Sequence, residues 1–288
     1  MNDLLFSRPD RFPRPDWTAI EERISQQGDD PGKAWESVAV QWMDAFANAL
    51  GPDYKVHHSR DILLVTRAPE PRAREILGFI HDCDKRILAE LPFVDPSEFL
   101  GFLPIIVFGD ELDFYHYLGT LRDDDDESAT AGGVFINEGY GHIAMPSENL
   151  DYYRATLCHE LCHSLLSGFN LPLWLDEAIT AEVEHHITGE NPYFLDRDIV
   201  REHREYWNAG RLDAFWTGES FSFPDEGQGL SYHLARYLFH AIAPHSTPES
   251  IGRFVRAADD GNAGNSAALE CFGINLLDVV EGLLGKTH

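Results

Sequence analysis

The sequence changes character at Asn149. Before it, helical periodicities alternate with short apolar runs of strand type. After it, every apolar segment repeats at helical spacing, interrupted at Pro172, Pro192, Pro224, Pro244 and Gly261. Strands first and helices after is the ordering of an α+β fold, with a small mixed sheet in the N-terminal half and a helical C-terminal half. Within the first half, Trp35, Val38, Trp42, Met43 and Phe46 recur at helical spacing over 33–50. Ile76, Phe79, Ile80, Cys83, Ile87, Leu88 and Leu91 mark one face of a second helix. Asp61–Thr66 and Pro104–Gly109 read as short buried strands, 112–118 as a short helix, and Gly132–Met145 as a hairpin with glycines at its turn. Residues 1–31, rich in Pro, Asp and Arg, read as an arm with one short helix near Trp17–Ile24. The expected organisation is an N-terminal helical arm or extension over 1–53 and one larger domain over 54–288.

Charge narrows the partners. With 22 basic and 49 acidic residues among 288, the formal charge is −27. Such a surface repels nucleic acid and anionic membranes, so neither is expected as a partner; acid content that keeps the protein soluble or suits a salty cytoplasm is the favoured reading of the charge, ahead of attraction of cationic peptides. No apolar run is long enough to cross a bilayer, and the first residues lack the apolar core of a secretory signal, so a cytoplasmic location is expected. Four cysteines are too few for a disulfide scaffold of this length and read as packed thiols. The run Asp123–Asp126 lacks the alternation and glycine of an EF-hand and reads as a solvated loop rather than a calcium site. Nothing in the sequence sets an oligomeric state.

The segment 155–166 contains His159-Glu160-Leu161-Cys162-His163. Helical residues four apart differ by about 40° in direction and about 6 Å along the axis, so both imidazoles leave one face and can share an ion at about 2.0–2.1 Å. Glu160, beside the first histidine, is positioned to act as general base on a metal-activated water. Catalytic zinc needs three protein ligands and an open fourth position. Downstream, Pro172 precedes a helix expected to begin near Leu175, with Glu177 in its first turn, where it could point back across a short connection at the two histidines. Cys158 and Cys162 precede each histidine on a different face; buried packing is the favoured reading over a redox or metal role.

These residues resemble the gluzincin metallopeptidases, the peptidase MA-like group related to thermolysin and aminopeptidase N. In that group His-Glu-x-x-His is followed by a Trp-Leu-x-Glu-Gly segment whose Glu is the third ligand. The match here is Trp174-Leu-Asp-Glu-Ala178, with Ala178 in place of Gly. The order of strands and helices over 54–284 is similar too. The resemblance implies a thermolysin-like zincin domain, a Zn2+ cofactor, a peptide or protein substrate, and hydrolysis by an activated water. It implies a tyrosine on the later helix around 228–238 as oxyanion donor. Tyr232 is the choice, with Tyr237 and His233 as alternatives and core packing as the plain one. It also implies that an edge strand near Gly141, His142, Ile143 and Ala144 pairs with the substrate backbone. Ala144, Met145, Glu148 and Asn149 echo the Gly-Ala-Met-Glu-Asn motif of aminopeptidases, but Pro146 and Ser147 interrupt it, so an endopeptidase or processing enzyme is expected. The second-shell Asp of thermolysin-type sites is replaced by Ala181. Two other readings stand beside this one: a zinc amidase acting on a non-peptide substrate, and a catalytically silent zincin-fold binding protein.

Overall fold

A computed structural model describes residues 11–27, 30–99, 101–121 and 132–285. Asp123–Asp126 lies outside them. The chain packs as two compact units, Met1–Lys85 with Pro96–Ser164 and Arg86–Asp95 with Leu165–His288.

In the first unit, α1 (Trp17–Gln27) and α2 (Pro31–Leu50) lead into β1 (Lys55–Ser59), β2 (Ile62–Thr66) and α3 (Glu70–Glu90). Then come β3 (Leu103–Val107), α4 (Glu111–Leu121), β4 (Val134–Ile136), β5 (His142–Met145) and α5 (Leu150–Leu166). The five strands form one mixed sheet in the order β1-β2-β3-β5-β4, antiparallel at both ends and parallel in the middle. β2, β3 and β5 are almost entirely buried, as strands covered on both faces must be, and their continuous apolar runs follow from that. β1 was not anticipated: its sequence KVHHS is half-exposed and carries little apolar signal.

Pro31 at the first turn and the Asp30 side chain accepting from the Gly32 N–H start α2. Its buried stripe of Val38, Trp42, Met43 and Phe46 packs with Leu63, Val65, Ile106 and Ala144 of the sheet. The division expected at residue 53 coincides with no unit boundary, because the arm is part of this core. Phe12 is 2% exposed, stacks on Phe46 at 5.4 Å and meets Phe108 and Tyr117 edge-on. The Trp42 indole N–H donates to the Pro13 carbonyl at 2.9 Å.

The second unit is helical: α6 (Leu173–Thr188), α7 (Arg197–Tyr206), α8 (Ala209–Trp216), α9 (Gly227–Ile242), α10 (Pro248–Ala257), α11 (Asn265–Phe272) and α12 (Leu276–Leu284). Its core forms around Trp174, whose N–H donates to the Ala263 carbonyl at 2.9 Å, and around Phe215, Leu234 and Phe254. The mixed sheet in the first half and helices in the second agree with the sequence reading.

Because Phe12 fills an aromatic niche, Phe12→Ala is expected to lower stability by about 3 kcal/mol. Urea denaturation checks this, and an effect below about 0.5 kcal/mol, the level of an ordinary surface change, would mean the arm is not part of the core.

Candidate metal centre

Helix α5 carries the His-Glu-x-x-His segment. Leu157, Leu161 and Leu165, together with Cys158 and Cys162, are buried and hold it in place, which leaves His159 and His163 half-buried on another face. The two Nε2 atoms lie 3.0 Å apart. Two nitrogens sharing a tetrahedral zinc at about 2.0–2.1 Å would be roughly 3.3 Å apart, so the spacing fits a common ion. α6 starts at Leu173, two residues before the expected start, so buried Glu177 sits in its second turn. One ligand atom each from His159, His163 and Glu177 all lie within 4.8 Å of one another. Among the described residues no other group of three His, Cys, Asp or Glu side chains is arranged in this way. Two imidazoles and a carboxylate are a donor set suited to zinc.

Glu160 is only 8% exposed, and its Oε2 accepts the Phe135 N–H at 2.6 Å. Phe135 is the middle residue of β4, opposite Ile143. Its amide is directed at Glu160, on the side of β4 that has no partner strand in the sheet. Gly133 packs beside this contact. A Cβ there would lie 2.5 Å from Met145 Sδ and 3.0 Å from Thr156 Cγ2, and Thr156 is one helical turn before Glu160 on the same face.

The edge-strand expectation needs correction. β5, which contains His142, Ile143 and Ala144, is an inner strand paired with β3 and β4; the edge is β4. His142, Ile143 and Ala144 are buried. His142 is a structural histidine: Nδ1–H donates to the Tyr140 carbonyl at 2.8 Å and Nε2 accepts the Tyr117 hydroxyl at 2.6 Å. Both strands belong to the predicted hairpin, and an alternating pattern does not reveal which of them lies outside.

Tyr232 lies on α9 and meets Phe221 edge-on at 5.2 Å. Of its alternatives, His233 has both ring nitrogens engaged, Nδ1 with His203 Nε2 and Nε2 with the Phe194 carbonyl, each at 2.8 Å. Sequence reasoning missed the group that fixes α9 against α6. Buried Glu182 Oε1 accepts from Arg236 Nε at 2.7 Å and faces His240 Nε2 at 3.0 Å. Arg236 is one turn beyond Tyr232 and Glu182 is five residues beyond Glu177, so this ion pair sets where both candidate residues stand within the second unit. His240 had no partner identifiable from sequence, and a contact 58 residues distant leaves no periodic signal.

No protein-family model matches the sequence, and no curated protein matches it. No helix among the described residues is long and apolar enough to cross a membrane.

Burial lowers the pKa of His142 to about 4, against the opposing hydrogen bond to Tyr140; burial and then the neighbouring His233 lower that of His203 to about 3. Both rings are therefore neutral in the folded chain and take up protons on unfolding below about pH 6.5. Stability is complete above that pH and falls as pH drops towards 4, by about 1.4 kcal/mol per pH unit for each ring. Urea midpoints of chelator-treated protein, measured from pH 7 to pH 5, are expected to fall steadily. A flat profile would contradict the buried neutral assignment.

Proposed function

We propose that this chain is a zinc-dependent peptide-bond hydrolase with a thermolysin-like catalytic domain, acting within chains rather than at a free N-terminus. The observation that carries the reading is the pairing of the His159, His163 and Glu177 donor cluster with a buried carboxylate, Glu160, next in sequence to the first histidine. A zinc ion there would supply Lewis-acid polarisation of water and of the peptide carbonyl.

The rest of the chemistry belongs to the chain's own side chains. Glu160 takes the proton of the attacking water and delivers it to the leaving amine nitrogen. The Phe135 N–H donates to Glu160 Oε2, which helps fix the orientation of the carboxylate. β5 is an inner strand, so it is not assigned the substrate-pairing role. Tyr232 is assigned to the oxyanion.

Glu160→Gln keeps the size of the side chain and the acceptor for Phe135 but removes the base. Cleavage of a mixed peptide library is expected to fall by about 10²–10⁴-fold, with bound zinc unchanged. Equal cleavage by the variant would overturn the assignment. Bound zinc with no cleavage by either protein would favour a silent binding protein or an amidase.

A further inference from the structure

The first unit holds a cavity of about 600 Å3 beside the turn of the β4–β5 hairpin, lined by Arg14, Asp16, Trp17, Glu21, Trp35 and Glu138, with Gly139 also in its wall. Trp17 and Trp35 are half-buried and both pack on Tyr140, at 5.9 and 5.7 Å between ring centroids. Trp17 is further fixed edge-on to Trp42 at 5.0 Å and by the hairpin turn itself. Gly139 has φ +67°, and a Cβ there would lie 1.9 Å from Trp17 Cδ1, so only glycine lets the indole seat on the turn.

The charged groups of the lining are unequal in what they can still bind. Arg14 is committed to the Thr120 carbonyl and to Glu138 Oε1 at 3.1 Å. Asp16 Oδ1 caps α1 by accepting the Ala19 N–H at 3.1 Å. Glu21 is exposed, and among the described residues its carboxylate has no hydrogen bond or ion pair. Three carboxylates against one guanidinium leave the lining negative, beside two indoles whose faces attract cations.

We propose that this cavity binds the guanidinium group of an arginine within a basic peptide segment. A guanidinium stacks on an indole and offers paired N–H donors to a carboxylate, so it meets both features of the lining at once. A volume within the range of about 300–1,000 Å3 typical of ligand pockets has room for the side chain and flanking main chain. The −27 charge of the chain draws basic segments towards it. Glu138 and Gly139 follow Phe135 by three and four residues, so the bound arginine rests on the hairpin whose edge strand holds Glu160. The inference goes beyond the catalytic reading and does not depend on it.

The test is titration of the full chain with N-acetyl-arginine amide and, separately, with the neutral isostere N-acetyl-citrulline amide, following the indole N–H NMR signals of Trp17 and Trp35. Expected are saturable shifts with the arginine compound in the millimolar range usual for so small a ligand, weakened by added salt, and none with citrulline. Glu21→Gln, an exposed change that leaves the fold intact, is expected to weaken binding about threefold or more, and Trp35→Leu at least as much. No saturable shift, equal shifts with citrulline, or unchanged affinity in Glu21→Gln would overturn the proposal.

Discussion

The hydrogen bond from the Phe135 amide to Glu160 Oε2 ties helix α5 to the open edge of the sheet, and the candidate chemistry of this chain depends on it. A carboxylate buried to 8% needs a donor, and a backbone N–H on an edge strand has no partner within its own sheet. Each group meets the other's need. The contact also turns Glu160 towards the strand instead of towards solvent, beside the two imidazoles that leave the helix at His159 and His163. Gly133 leaves room beside this contact for the ends of the Met145 and Thr156 side chains, which a Cβ there would displace.

Around this contact the first unit is built from rings. The arm residues Phe12 and Trp17 pack among Phe46, Trp42, Tyr117 and Tyr140, and His142 is held between Tyr117 and Tyr140 with Trp42 edge-on at 4.9 Å. A neutral histidine with both nitrogens satisfied serves here as a rigid polar spacer inside an apolar core. In the second unit the Glu182–Arg236 pair plays the corresponding part, locking α6 to α9 with two charges that neither helix could bury alone.

What the sequence made legible was periodic or local. The helices at 33–50 and 76–91, the strands at 62–66 and 103–107, the hairpin, and the pairing of His159 with His163 all follow from spacing within a few turns. The features that escaped depend on partners far along the chain. β1 carries no apolar alternation to signal it, and its place is set by pairing with β2. That β4 rather than β5 forms the edge is decided by the pairing of β5 with β3, which no pattern within the hairpin records. The arm reads as polar because of its Pro, Asp and Arg residues, yet Phe12, Ile20 and Ile24 are buried in the core and Trp17 packs against it. The donor cluster of His159, His163 and Glu177 was legible only because the downstream segment resembled a known ligand pattern; spacing alone does not bring residue 177 to the histidines.

The central claim is that these three side chains hold one catalytic zinc ion. Metal content by mass spectrometry on freshly purified wild type, His163→Ala and Glu177→Ala tests it most directly. The account predicts close to one zinc per chain in the wild type and loss of most of it in each variant. Metal-free wild-type protein that takes up no zinc when it is supplied, or zinc retained in full by both variants, would contradict it.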